Sequence, residues 1–119
     1  MPILSTGPIE NNAVSGVRPT QTVTVRLVKR DAMGVSAVSI QGYLLNGTRT
    51  LYVSEVITIA PNEVVTRDYF ADLDAFEFIF TTGEAAVEEL GISIWGKNAA
   101  GELVDAHRVV SQEILNPEV

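Results

Sequence analysis

From Thr22 onward apolar and polar side chains alternate with a period of two, the repeat of strands that turn one face to a core and the other to water. Val23, Val25 and Leu27 interleave with Thr22, Thr24 and Arg26, which predicts a first strand with one wet face. After a polar break at residues 30–34, Val38, Ile40 and Leu44 share one face of a second strand, with Gln41 and Tyr43 on the other. Asn46-Gly47 predicts a type I′ turn, which needs positive φ at both central residues. A third strand over 48–59 places Leu51, Val53, Glu55 and Ile57 on one face and Tyr52 and Val56 on the other. A turn at 60–63 leads to a fourth strand over 64–70, and a short connection at 71–74 to a fifth over 75–81. Phe76, Phe78 and Phe80 share a face of the fifth strand and are expected at the centre of the core. A sixth strand points Leu90, Ile92 and Ile94 one way and Ser93 and Trp95 the other. A hairpin loop at 97–101 then leads into a last strand over 102–115. Helix finds support in one turn at most, at 84–89.

Strands at roughly ten-residue spacing, with turn chemistry between them, predict an all-β, antiparallel sandwich over residues 20–119. Residues 1–19 differ in kind. Pro2, Pro8 and Pro19 lack the amide hydrogen that an interior ladder needs, and Gly7 and Gly16 loosen the chain further. Yet Ile3, Leu4, Ile9, Val14 and Val17 are more apolar than a solvated tail requires. An extended N-terminal arm is therefore expected to lie along an exposed sheet edge, where its backbone is satisfied and the edge is covered. That edge belongs either to its own sandwich, as an eighth strand, or to a neighbouring copy. The second arrangement is the one expected, with Ile3, Leu4, Pro8, Ile9, Val14 and Val17 as the assembly interface.

The 119 residues suit one domain, and 46% hydrophobic content closes a core without metal or disulfide staples. The absence of cysteine removes thiolate chemistry and covalent cross-links. A formal charge of −7 argues against nucleic acid and anionic membranes as partners. No apolar run reaches the ~20 residues of a membrane span. The first residues also lack the basic and apolar regions of a secretory signal, so if the protein ends up outside a cell, a route other than ordinary secretion is expected. Residues 1–49 carry five basic and two acidic groups, a balance of +3; residues 50–119 carry three basic and thirteen acidic, a balance of −10. That asymmetry favours head-to-tail contact if the halves form opposite ends, and favours nothing if their strands interleave.

Candidate chemistry is sparse. The single histidine, His107, shares a strand face with Asp105 and Ser111, but residues in line on one strand cannot converge on one reacting atom. Asp68, Asp72 and Asp74 are either part of a loop calcium site or ordinary turn carboxylates. Glu84, Glu88 and Glu89 read as a solvated acidic patch. Trp95, Tyr43, Tyr52 and Tyr69 either line a sugar-binding face or pack across strands. There is no phosphate-cradling glycine loop, no His/Cys ligand set and no nucleophile elbow, so neither an enzyme nor a cofactor is expected.

Four segments, GVRPTQTVTVRLVKRD, IQGYLLNGTRTLYVSEV, DLDAFEFIFTT and ISIWGKNAAGELVDAHRVVSQEIL, span about four-fifths of the chain. In that order they resemble subunits of endospore appendages, the pilus-like fibres on spores of Bacillus-type bacteria. The resemblance implies a jelly-roll-like sandwich of seven to eight strands whose N-terminal connector docks into the preceding subunit. It also implies a spore-surface location, with copies of itself and other spore-surface proteins as partners. The homopolymer is expected to be helical or built of stacked rings, with trimeric layers. Better-known appendage subunits carry connector cysteines. This chain has none, so its contacts are expected to be non-covalent. The alternatives are a non-polymerising surface module binding carbohydrate or protein, and a viral or phage jelly-roll structural protein.

Overall fold

In the computed structural model, which describes residues 3–30, 36–82, 90–107 and 110–111, the alternation becomes ten strand segments. They are β1 (Ile3–Ser5), β2 (Ile9–Glu10), β3 (Thr22–Lys29), β4 (Ser36–Leu45), β5 (Arg49–Ile59), β6 (Val64–Phe70), β7 (Ala75–Thr82), β8 (Leu90–Lys97), β9 (Leu103–His107) and β10 (Val110–Ser111). One antiparallel sheet runs β10-β1-β7-β4-β5, with β2 also laid on β7. The other runs β6-β3-β8-β9. Packed together, they form an all-β sandwich.

The inner faces follow the period-two pattern. Val23, Val25, Leu27 and Ile94 of the second sheet, and Val38, Ile40, Ile57, Ile59, Phe76, Phe78 and Phe80 of the first, are all exposed by 4% or less. Each contributes on the order of 1.5–3 kcal/mol of burial. Phe78 sits at the centre: Tyr69 stacks on it at 5.6 Å, and Phe76 and Tyr52 meet it edge-on at 6.0 and 6.2 Å.

Several local expectations need correction. Asn46-Gly47 is not a type I′ turn, because only Gly47 has positive φ (88°) and the connection is three residues long, with Leu45 facing Arg49. Among the described residues, the pair with positive φ at both positions is Ser15-Gly16 (54° and 83°), which closes a tight turn between Val14 and Val17. Along β4 and β5 the register jumps from Gly42↔Val53 to Tyr43↔Leu51, so Tyr52 is the extra residue of a bulge. The bulge turns Tyr52 onto the core beside Val53 and leaves Leu51 46% exposed. Thr24, on the expected wet face, is buried between Asp68 and Trp95 on the flanking strands.

The expected last strand is divided: β9 joins the second sheet, while β10 crosses to pair with β1 in the first. The remainder of that strand, the turn at 84–89 and the patch of Glu84, Glu88 and Glu89 lie outside the described residues. The second sheet mixes β3 from the basic half with β6, β8 and β9 from the acidic half, so the halves interleave and do not form opposite ends.

Candidate functional site

In this chain the N-terminal arm lies on its own sandwich. β1 and β2 run antiparallel along β7, Ile3 facing Thr81 and Ile9 facing Phe76. They are two pieces of one strand, broken where Pro8 has no amide hydrogen and Gly7 takes a φ of +69°. Thr6 bridges the break: its amide donates to the Phe78 carbonyl at 3.1 Å, and its hydroxyl accepts from the Phe78 amide at 3.1 Å.

The structure sorts the six arm candidates into two groups. Leu4 is 6% exposed within the core cluster and Ile9 packs against that cluster, so neither presents a free surface in this conformation. Ile3 and Pro8 are exposed on the outer side, and Val14 and Val17 stand out beside the Ser15-Gly16 turn at 67% and 59% exposure. On its outer face β1 is also held by a buried polar group. The Ser5 hydroxyl donates to Glu77 Oε2 at 3.0 Å and accepts from the Gly7 amide at 2.8 Å. Arg49 meets the other Glu77 oxygen at 3.4 Å while its guanidinium lies 3.5 Å over the Tyr43 ring.

The base of the arm is anchored more firmly than its tip. Asn11 is 3% exposed; its Nδ2 lies within donating distance of the carbonyls of Thr20 (2.8 Å), Leu73 (2.9 Å) and Ala71 (3.1 Å). Its Oδ1 accepts from the Thr20 amide at 2.9 Å, and its own amide donates to the Asp74 carbonyl at 2.7 Å. Arg18 adds a surface clamp, with Nε at 2.9 Å from Asp74 and Nη1 at 3.1 Å from Asp72. Those hydrogen bonds, Asp74 first, raise the guanidinium pKa above its ordinary value. Asn11 and Arg18 escaped the sequence reading. For Arg18 a signal existed in the lone cation of the arm facing the Asp72-Leu73-Asp74 turn.

The other candidates disperse. Asp72 and Asp74 are occupied by Arg18, whereas Asp68 lies on the outer face of the second sheet and accepts from the Thr24 hydroxyl at 2.6 Å. No group of three potential metal ligands forms among the described residues. Tyr52 and Tyr69 turn onto Phe78 rather than onto a shared sugar-binding face. Tyr52 donates to the Phe70 carbonyl at 2.5 Å, and burial pushes its pKa up to about 12. Tyr69 donates to Glu55 at 2.7 Å; that bond, and next the Arg67 ion pair, hold the Glu55 carboxyl below its usual range. Tyr43 and Trp95 lie on different sheets.

No triad forms around His107, because Ser111 belongs to a strand of the other sheet and Asp105 accepts from the Ala106 amide. The imidazole meets Phe76 edge-on at 6.3 Å, and its Nε2 is buried without a hydrogen-bond partner among the described residues. Burial holds the His107 pKa below 6.5, with the Asp105 charge pulling the other way. The unfolded chain therefore takes up this proton first, and stability present above pH 6.5 is lost as pH falls towards the folded pKa. The urea midpoint is expected to drop on acidification just below pH 6.5, before carboxylates titrate, and to stay level in that window in His107→Gln. A level wild-type profile would remove His107 as the cause.

Fold and site together define an all-β protein of two packed antiparallel sheets carrying an arm pinned at its base. No family model, curated protein or solved structure matches the chain.

Proposed function

We propose that the chain is a structural subunit that assembles non-covalently with copies of itself into a spore-surface fibre by exchanging its N-terminal strand. The carrying observation is the contrast within the arm. Three residues of β1, with Leu4 as their one core side chain, fill the gap between β7 and β10, and they sit beyond a break at Gly7. From Asn11 onward the chain is clamped to the 71–74 connection.

Exchange replaces one set of contacts by an identical set in the next copy, so the Leu4 burial of roughly 1.5–3 kcal/mol cancels. What remains is the gain from new contacts between copies, and Ile3, Pro8, Val14 and Val17 are the arm candidates with exposed apolar surface to make them. A donor strand in one copy and an acceptor gap in another make a heterologous contact, whose open repetition is a filament and whose local closure is a ring, such as a trimeric layer. The jelly-roll-like connectivity with seven to eight principal strands, the spore-surface location and contact with other spore-surface proteins belong to this reading through the four resembling segments.

The test locks the arm at home. Ile3→Cys with Thr81→Cys places two thiols at facing positions of β1 and β7 in a chain with no other cysteine. Under electron microscopy the oxidised, internally linked protein is expected as discrete particles and the reduced protein as filaments. Filaments from the internally linked form, or none from the wild-type chain, overturn strand exchange.

A further inference from the structure

Three of the eight lysines and arginines in the chain, Arg26, Arg30 and Lys97, line depressions on the outer face of the β6-β3-β8-β9 sheet. Lys97 faces Thr22, and residues 22, 26 and 30 follow at four-residue intervals. The cations therefore recur every ~13 Å along a track of ~26 Å. Arg30 lies over Gly91, where a Cβ would come within 2.6 Å of its guanidinium. Among the described residues neither Arg26 nor Lys97 is paired with a carboxylate.

Between Lys97 and Arg26 stands Trp95, 38% exposed, with Leu103 closing a shallow depression of about 410 Å³. A second depression of about 290 Å³ continues past Arg26 towards Arg30. The Thr66 and Ser93 hydroxyl positions flank Arg26 on either side. Two acids border the track: Asp68 stands on the marginal strand β6 and accepts from Thr24, and Glu102, between Gly101 and Leu103, accepts from the Asn98 side chain.

We infer that this face is a binding track for an acidic polysaccharide, a chain of uronate type. The track is cationic on a protein of net charge −7, so the partner it selects is anionic. Its middle strands, β3 and β8, are hydrogen-bonded on both sides. An extended peptide laid there finds no open edge for its backbone groups, whereas a sugar chain has no ladder to complete. Carboxylates repeating along such a chain meet Lys97 and Arg26, ring hydroxyls meet Thr66 and Ser93, and the apolar face of a sugar ring covers the indole. The inference stands apart from strand exchange, since the arm contributes no residue to this face.

Trp95 is the only tryptophan, so its emission reports the track directly. A galacturonate hexamer titrated into the full-length protein at low salt is expected to change that emission saturably, with matching calorimetric heat. Lys97→Glu and Arg26→Gln are each expected to weaken binding at least tenfold with circular dichroism unchanged. A neutral glucan hexamer is expected to produce no change. Absence of saturable binding, equal affinity for polyglutamate of matched charge, or unaltered affinity in both variants overturns the inference; the polyglutamate result would replace the polysaccharide with an acidic polypeptide.

Discussion

Phe78→Ala is expected to cost about 3–5 kcal/mol, a large part of the 5–15 kcal/mol that holds a typical domain together. The upper half of that range follows from what surrounds the ring. Its Cε2 lies where a Cβ on Gly42 would come within 2.8 Å, so the ring rests on bare backbone of β4. Of its three ring neighbours, Tyr69 and Tyr52 are tied by their hydroxyls to Glu55 and to the Phe70 carbonyl. Neither side can collapse into the vacated volume, and a cavity that stays open costs more than lost transfer energy alone. The measurement is the urea midpoint with an unchanged slope. A loss below about 1 kcal/mol would mean that the ring is not packed as described.

Period-two alternation revealed the sandwich because sheets with one buried face impose it, and the three phenylalanines of β7 are fully buried as that pattern requires. The bulge at Tyr52 left no such mark. An extra residue reverses the phase of a strand without changing its composition, so Tyr52 read as outward although its ring packs on Phe78. The turn at Asn46-Gly47 misled for a similar reason. Asn-Gly favours a primed turn but does not compel one, and Thr48 joined the loop. The division of the last strand was equally illegible, since apolar residues on β9 and β10 serve different sheets without a turn signal between them.

For the arm, composition revealed that its apolar residues need cover, but not whose edge provides it. Leu4 and Ile9 find that cover within the chain, whereas Val14 and Val17 do not. The cationic track was hidden because only sheet pairing brings Lys97 level with Thr22 and so into sequence with Arg26 and Arg30.

Asn11→Ala is expected to cost about 2–4 kcal/mol, far above the usual effect of an arm substitution, because it orphans several buried groups together. The Thr20 amide loses its acceptor, the buried carbonyls of Thr20 and Ala71 lose a donor, and so does the half-buried carbonyl of Leu73. Asn11→Asp separates the two halves of this role. It keeps an oxygen for the Thr20 amide, but it removes Nδ2 and sets a negative charge against three carbonyl oxygens. The aspartate variant should therefore be at least as unstable as the alanine variant near neutral pH, and should recover part of the difference as the carboxyl protonates in acid. A cost below about 0.5 kcal/mol for both would mean that the arm base is not anchored there. Chemical denaturation gives the free energies, and amide exchange at Thr20 tests whether the loss is local. Since this anchor fixes where the chain leaves the sandwich, loosening it should blur the direction in which β1 is presented. Filaments of Asn11→Ala, formed under conditions where the domain remains folded, are accordingly expected to be fewer and shorter than those of the parent chain.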